Sequence, residues 1–253
     1  MTRTALNVAA LLLSACVVAS AEPADETETP AVSGSQNQTS LTAPAPSGAR
    51  TDVQGAFEDS LRLLMLQHLG RMFQEKTRRE LVGPFFSDYA HSVRVPSQWS
   101  DGDKWPVNYV GHPIQGAAAG YIWIDHDPHG WNQKPFSRGY WASRGRAALW
   151  SAAYSVQFEV GPLSEASIGN VGRNPATTGW TDYVVTPAGA FALIVGEELV
   201  DRSFLSWIEA HTSNTFVRAT LRSLVTPGRS LSNMASGRMP WFRDGRPLDW
   251  TGK

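Results

Sequence analysis

Three segments of this chain are apolar and rich in small residues, yet each carries polar groups at helical spacing. These are Asn108, His112 and Gln115 in the first, Glu159 in the second, and Asp182, Thr186 and Glu197 in the third. An α-helix repeats about every 3.6 residues, so side chains three, four, seven or eight apart share a face and each set forms a stripe. A carboxylate or imidazole in a packed interior needs a partner, and three segments that each supply part of a set are expected to be partners to one another. The predicted fold is therefore all-α: a single compact helical bundle with long irregular loops.

The N-terminus reads as an export signal over residues 1–21. Arg3 precedes an apolar run from Ala5 to Ala19, broken by Asn7 and Ser14. Two processing routes fit. Leu13-Ser14-Ala15-Cys16 has the form of a bacterial lipobox, in which Cys16 becomes the lipidated first residue. Ala19-Ser20-Ala21 has the form of an ordinary cleavage site. Cys16 is the single cysteine of the chain, so the mature domain has no disulfide and its stability must come from burial. Residues 22–50 are Ala, Pro, Thr, Ser and acidic residues without periodicity, a tether that cannot bury enough surface to fold. Residues 51–253 remain for one helical domain, with its motifs concentrated in 105–202. The formal net charge of −1 argues against a nucleic-acid partner, since such binders carry a strong basic excess.

Several helices are expected within that domain. Gln54 to Glu80 is amphipathic and is stopped by Gly83-Pro84. Ser137 caps a helix from about Arg138 to Val160, on which Ala148, Ala152, Ser155 and Glu159 form a small-residue line ending in a carboxylate. Thr181 is the expected cap of a long helix reaching about His211. A further helix spans Asn214 to Val225, ended by Thr226-Pro227-Gly228. Pro113 either begins the helix that follows Asn108 or kinks it. Outside the leader no uninterrupted apolar stretch reaches the ~20 residues that span a bilayer; the nearest, Val184 to Gly196, runs into Glu197-Glu198. The last segment mixes Arg229, Arg238, Arg243 and Arg246 with Met239, Trp241, Phe242 and Trp250. That composition suits an anionic lipid surface, or a tail packed back on the domain.

His112, Glu159 and Asp182 form the strongest chemical constellation, with Asn108, Gln115, Thr186 and Glu197 grouped around it as a polar network. A histidine among carboxylates is either a general base with its orienting partner or part of a divalent-metal ligand set; the metal, and any other cofactor, is not specified. The commoner reading is a satisfied buried network that fixes helix register, with His112 an ordinary core histidine. Asp125-His126-Asp127-Pro128-His129 is dense in ligand groups, but it matches no regular metal spacing and reads as a solvated turn. Serine-hydrolase, zincin and P-loop signatures are missing from the sequence.

The order of motifs is Asn108-Tyr109-x-x-His112-Pro113-x-x-Gly116, Phe158-Glu159, Asp182-x-x-x-Thr186-Pro187-x-Gly189 and Gly196-Glu197. Over Trp105 to Arg202 this resembles an uncharacterised bacterial envelope family defined by a domain of unknown function. The chain departs from that pattern at Val160-Gly161, where an aromatic is more usual. The resemblance implies a helical, envelope-located domain and supplies no reaction.

Two functions follow as expectations. The first is a non-enzymatic outer-membrane lipoprotein facing the periplasm, or a soluble periplasmic protein if the leader is cleaved after Ala21, interacting with lipid or another envelope component. The second is a membrane-proximal hydrolase using His112 with Glu159 or Asp182, with or without a metal.

Overall fold

The computed structural model describes residues 50–73, 77–78, 86, 89–90, 98–167 and 179–250. The leader, Cys16 and the tether lie outside the described residues. So do parts of the expected N-terminal helix beyond Phe73. Among the described residues the fold is all-α, with a single parallel bridge between Gln98 and Gly179.

Helix α1 (Val53–Arg71) is capped by Asp52, whose side chain accepts from the Gly55 amide. A π-helical turn, Val107–Gly111, leads into α2 (His112–His126). Pro113 therefore begins the helix proper, where its missing N–H costs no ladder bond. Helix α3 (Arg138–Val160) starts at Ser137, whose hydroxyl accepts from the Tyr140 amide, as its sequence predicts. Helix α4 (Thr181–Val200) continues through a π-helical turn (Asp201–Leu205) into α5 (Ser206–His211). Helix α6 (Thr215–Val225) is capped by Asn214, which accepts from the Val217 amide.

One expectation about helix ends is corrected. Thr181 does not cap α4: its hydroxyl donates to the Trp99 carbonyl, 2.5 Å away, and Trp180 occupies the cap position. Helix α6 ends at Val225 before Thr226-Pro227-Gly228, as expected, and Pro227 then opens a further helix, α7 (Pro227–Ala235), at whose first turn a proline is well suited.

Helix α2 is the hub. From His112 to Ile124 nearly every side chain is buried, against α3 and α4 on one side and α1 and α7 on the other. Its glycines allow this. A Cβ on Gly116 would stand 2.8 Å from the Thr186 carbonyl oxygen and 2.9 Å from the Ala190 Cβ. In the opposite sense, a Cβ on Gly189 would stand 2.6 Å from Pro113 Cγ. The His-Pro-x-x-Gly and Thr-Pro-x-Gly motifs thus interlock, and the same contact fixes the register of His112 against Asp182. Gly116→Ala is expected to cost about 1–3 kcal/mol by forcing α2 from α4, read as a lowered midpoint in thermal unfolding followed by circular dichroism.

On α3 the buried small residues are Ser143, Ala147, Ser151 and Ser155, all at most 1 % exposed. The expected line through Ala148 and Ala152 is one position off, because those two sit at the margin. Ser151 Oγ donates to the Gly116 carbonyl at 2.5 Å and Ser155 Oγ to the Asp182 carbonyl at 3.1 Å. The hydroxyls thereby hold the three helices together through polar contacts.

On α3 and α4 several polar side chains point inward and apolar ones outward. Helix α4 turns Asp182, Thr186, Glu197 and Glu198 inward, and exposes Val184, Ala188, Ala192 and Leu199. Helix α3 buries Ser143, Arg144, Ser151, Ser155 and Glu159, and exposes Trp141, Leu149, Ala153 and Val156, with Leu149 72 % exposed. Arg146 is the charged residue exposed between Trp141 and Val156, and it pairs with Asp127 at 2.8 Å. Trp141 and Phe191 join the two faces, their rings 6.0 Å apart.

Candidate functional site

The site lies at one end of the α2–α3–α4 bundle, because antiparallel connection brings the start of α2, the end of α3 and the start of α4 together. His112, Glu159 and Asp182 each offer a ligand atom there, and these atoms all lie within 4.8 Å of one another. His112 Nε2 is 3.5 Å from Asp182 Oδ1. All three residues are buried, none more than 5 % exposed.

Segment 98–103, which carries no helical signal, lies beside the start of α4. Trp180 and Thr181 donate their amides to the Gln98 and Trp99 carbonyls at 2.9 and 3.0 Å. This brings in Asp101, a site residue the sequence pattern misses. Asn108 Nδ2 donates to Asp101 Oδ1 at 2.7 Å, and the Asp101 carboxyl lies beside that of Asp182. The end of α3 is folded over in turn: the Glu165 and Ala166 amides return to the Phe158 and Glu159 carbonyls at 2.8 and 3.0 Å. Glu165 then forms an ion pair with Arg71 of α1. Phe158 is the hinge of this packing. Its ring stacks on His68, meets His112 edge-on at 6.2 Å, and lies under the Arg71 guanidinium at 5.4 Å.

Burial dominates the protonation of the site. It pushes Asp182 up to about 9, reinforced by the hydrogen bond and negative charge of Asp101. It holds Glu159 well above the carboxylate range, with Glu165 and Asp182 adding repulsion and Arg71 only partly offsetting it. Burial also depresses His112, against the opposing pull of Glu165 and Asp101, so its ring is neutral near pH 7. For Asp101 burial acts upward too, but the hydrogen bonds from Asp182, the Asp103 amide and Asn108 together outweigh it and keep this carboxyl ionised. Tyr183, beside Glu159 and Asp182, is raised to about 12 by burial and by those two carboxyls.

Several buried atoms of this network have no protein hydrogen-bond partner. Asn108 Oδ1, His112 Nδ1, Gln115 Nε2, Glu159 Oε1, Asp182 Oδ1 and Thr186 Oγ1 are buried without a hydrogen-bond partner. A buried polar atom left unpaired costs about 1–3 kcal/mol, so a cluster of them is not a stabilising device in itself. Gln115 and Thr186 stand one turn along α2 and α4 from His112 and Asp182, as their spacing predicts.

Glu197 does not belong to this network. It sits fifteen residues after Asp182, about 22 Å up the helix at about 1.5 Å per residue. There it accepts the Gly228 and Arg229 amides at 2.8 and 3.1 Å, closing the first turn of α7. The Asp125–His129 loop is likewise committed elsewhere. Asp125 accepts from Trp131 Nε1 at 2.7 Å and pairs with Arg238, Asp127 pairs with Arg146, and His126 lies between Asp52 and Asp59.

The arginines of the last segment are paired within the domain. Arg243 and Arg246 meet Asp201, Arg246 also meets Glu209 at 3.1 Å, and Arg229 lies 3.9 Å from Asp201. Of the two expectations for this segment, the tail packed back on the domain is the one observed. Compared with family models, curated proteins and solved structures, the chain matches none.

Proposed function

We propose that this is an envelope domain that works docked against a lipid bilayer, the outward faces of α3 and α4 lying in the acyl region of one leaflet. The observation that supports it is the inversion of polarity: ionisable and hydroxyl groups point into the bundle, and Val184, Ala188, Ala192, Leu149, Ala153 and Val156 point out. An exposed apolar surface of this extent is costly in water and marks an interaction surface. Trp180, at the cap position before the helix from Thr181 to His211, and Trp207 within it, both exposed, flank it as interfacial anchors.

That helix is long and apolar enough on average to cross a membrane. Its uninterrupted apolar part, Tyr183 to Gly196 with Thr186 turned inward, is fourteen residues, about 21 Å at ~1.5 Å per residue. A bilayer core is about 30 Å thick, so docking in one leaflet suits the band better than spanning. The lipobox reading of Cys16, the tether and the resemblance to an envelope family agree with this placement. Because the tail arginines already have carboxylate partners, the attraction is expected to be apolar rather than electrostatic.

Flotation of the full chain on liposomes of phosphatidylcholine and phosphatidylglycerol tests it. Wild type and Cys16→Ala are expected to float, equally at low and high salt. Leu149→Glu/Val184→Glu/Ala192→Glu is expected to lose membrane partition by at least about tenfold, since charge in an acyl environment costs some kcal/mol per residue. Equal flotation of that triple variant, or flotation abolished by salt alone, would contradict the docking face.

A hydrolase with His112 as base is the second reading. The neutral ring and unpaired neighbours favour it; the burial of His112 weighs against a substrate reaching it.

A further inference from the structure

We propose that His112, Glu159 and Asp182 together bind one divalent first-row metal ion, Zn²⁺ or Mn²⁺, inside the bundle. The inference is independent of membrane docking and rests on the geometry of the bundle end.

Two observations carry it. The first is distance. Ligands at about 2.1 Å from a tetrahedral ion stand about 3.4 Å apart, and His112 Nε2 and Asp182 Oδ1 are already 3.5 Å apart. The Glu159 carboxylate lies within 4.8 Å of both, so a side-chain adjustment of roughly 1 Å completes the set. The second is orphaned valence. Glu159 Oε1 and Asp182 Oδ1 are buried without a hydrogen-bond donor, and Thr186 and Asn108 bring further unpaired oxygens to the same end of the bundle. An ion accepts lone pairs that no protein donor meets.

The donor set chooses the ion class. One imidazole with two carboxylates and no thiolate is a mixed nitrogen and oxygen site, which suits Zn²⁺ or Mn²⁺ and disfavours Cu⁺. His112 is held for this role by the edge of Phe158 at 6.2 Å rather than by a hydrogen bond at Nδ1.

The test uses the full chain, purified in detergent and stripped with a chelator. Zn²⁺ and Mn²⁺ are titrated separately by calorimetry, and the zinc-loaded protein is measured by X-ray absorption. Wild type is expected to bind one equivalent of at least one ion with a Kd of about 1 μM or tighter. Glu159→Gln and Asp182→Asn, near-isosteric changes, are each expected to weaken it at least about tenfold with the helical circular dichroism retained. Glu197→Gln, on a carboxylate committed to α7, is expected to leave the affinity within about twofold. The absorption spectrum is expected to show nitrogen and oxygen neighbours at about 2.0–2.1 Å including an imidazole. Failure of wild type to bind either ion at about 1 mM would overturn the proposal. So would an all-oxygen shell, or unchanged affinity in both ligand variants; the shell measurement decides even where a variant folds poorly.

Discussion

Arg144→Met is expected to lower the unfolding free energy by about 3–5 kcal/mol. Arg144 is 1 % exposed and its Nε donates to Glu198 Oε1 at 2.9 Å, with Nη1 on the Gly130 carbonyl. The guanidinium also stacks over Tyr140 at 4.6 Å and Trp131 at 5.6 Å. Methionine fills the volume but leaves Glu198, itself 3 % exposed, without its main partner. Arg202, 3.5 Å from Glu198 but 40 % exposed, compensates only weakly. The double variant Arg144→Met/Glu198→Leu is expected to recover most of the loss, because the cost lies in a stranded charge rather than in the missing pair. Thermal unfolding of the three proteins at one detergent concentration checks both statements; a single variant as stable as wild type would show that water reaches this pair.

Phe158→Ala is expected to cost about 3–5 kcal/mol as well, with a further consequence at the site. The ring is 4 % exposed and is shared by His68, His112, Tyr154 and Arg71, so its removal opens a cavity at the junction of α1, α2 and α3. His112 then loses what orients it. The destabilisation is expected to be accompanied by weaker metal binding, whereas Arg144→Met, near the start of α3 and beside the end of α4, lowers stability and leaves the metal affinity of the folded protein unchanged. Calorimetric titration below the melting transition of each variant separates the two effects.

The sequence carried much of this because the polar residues of α2, α3 and α4 are few and lie in apolar surroundings. Their spacing alone phases each helix, so the meeting of His112, Glu159 and Asp182 is legible without coordinates. Helical phase says nothing about position along the axis, which is why Glu197 reads as a neighbour of Thr186 while it stands three turns away capping α7. Asp101, Glu165 and Arg71 were beyond reach for a different reason. They come from a loop, a reversed turn and a separate helix, and their proximity to the site depends on long-range contacts such as Thr181 to Trp99 and Glu165 to Phe158.

The tail arginines show the same limit. Their charge is visible in sequence, but their partners Asp125, Asp201 and Glu209 lie up to 113 residues away. The apolar outer stripe of α4 follows from its polar inner one. Hydrophobic residues nevertheless fill the remaining faces of that helix, so no contrast in the sequence distinguishes an exposed Val184 from a core-facing Ile194.

Helices α3 and α4 turn polar groups inward and an apolar stripe outward, and one position reads out whether that stripe meets lipid. A nitroxide attached at Ala188→Cys in a Cys16→Ser background, on the exposed face of α4, is measured on liposomes by its collision rates with oxygen and with a water-soluble nickel chelate. The account predicts that oxygen dominates at Ala188, while the chelate dominates at Asn132→Cys in the exposed loop before α3. Equal chelate access at the two positions would contradict it.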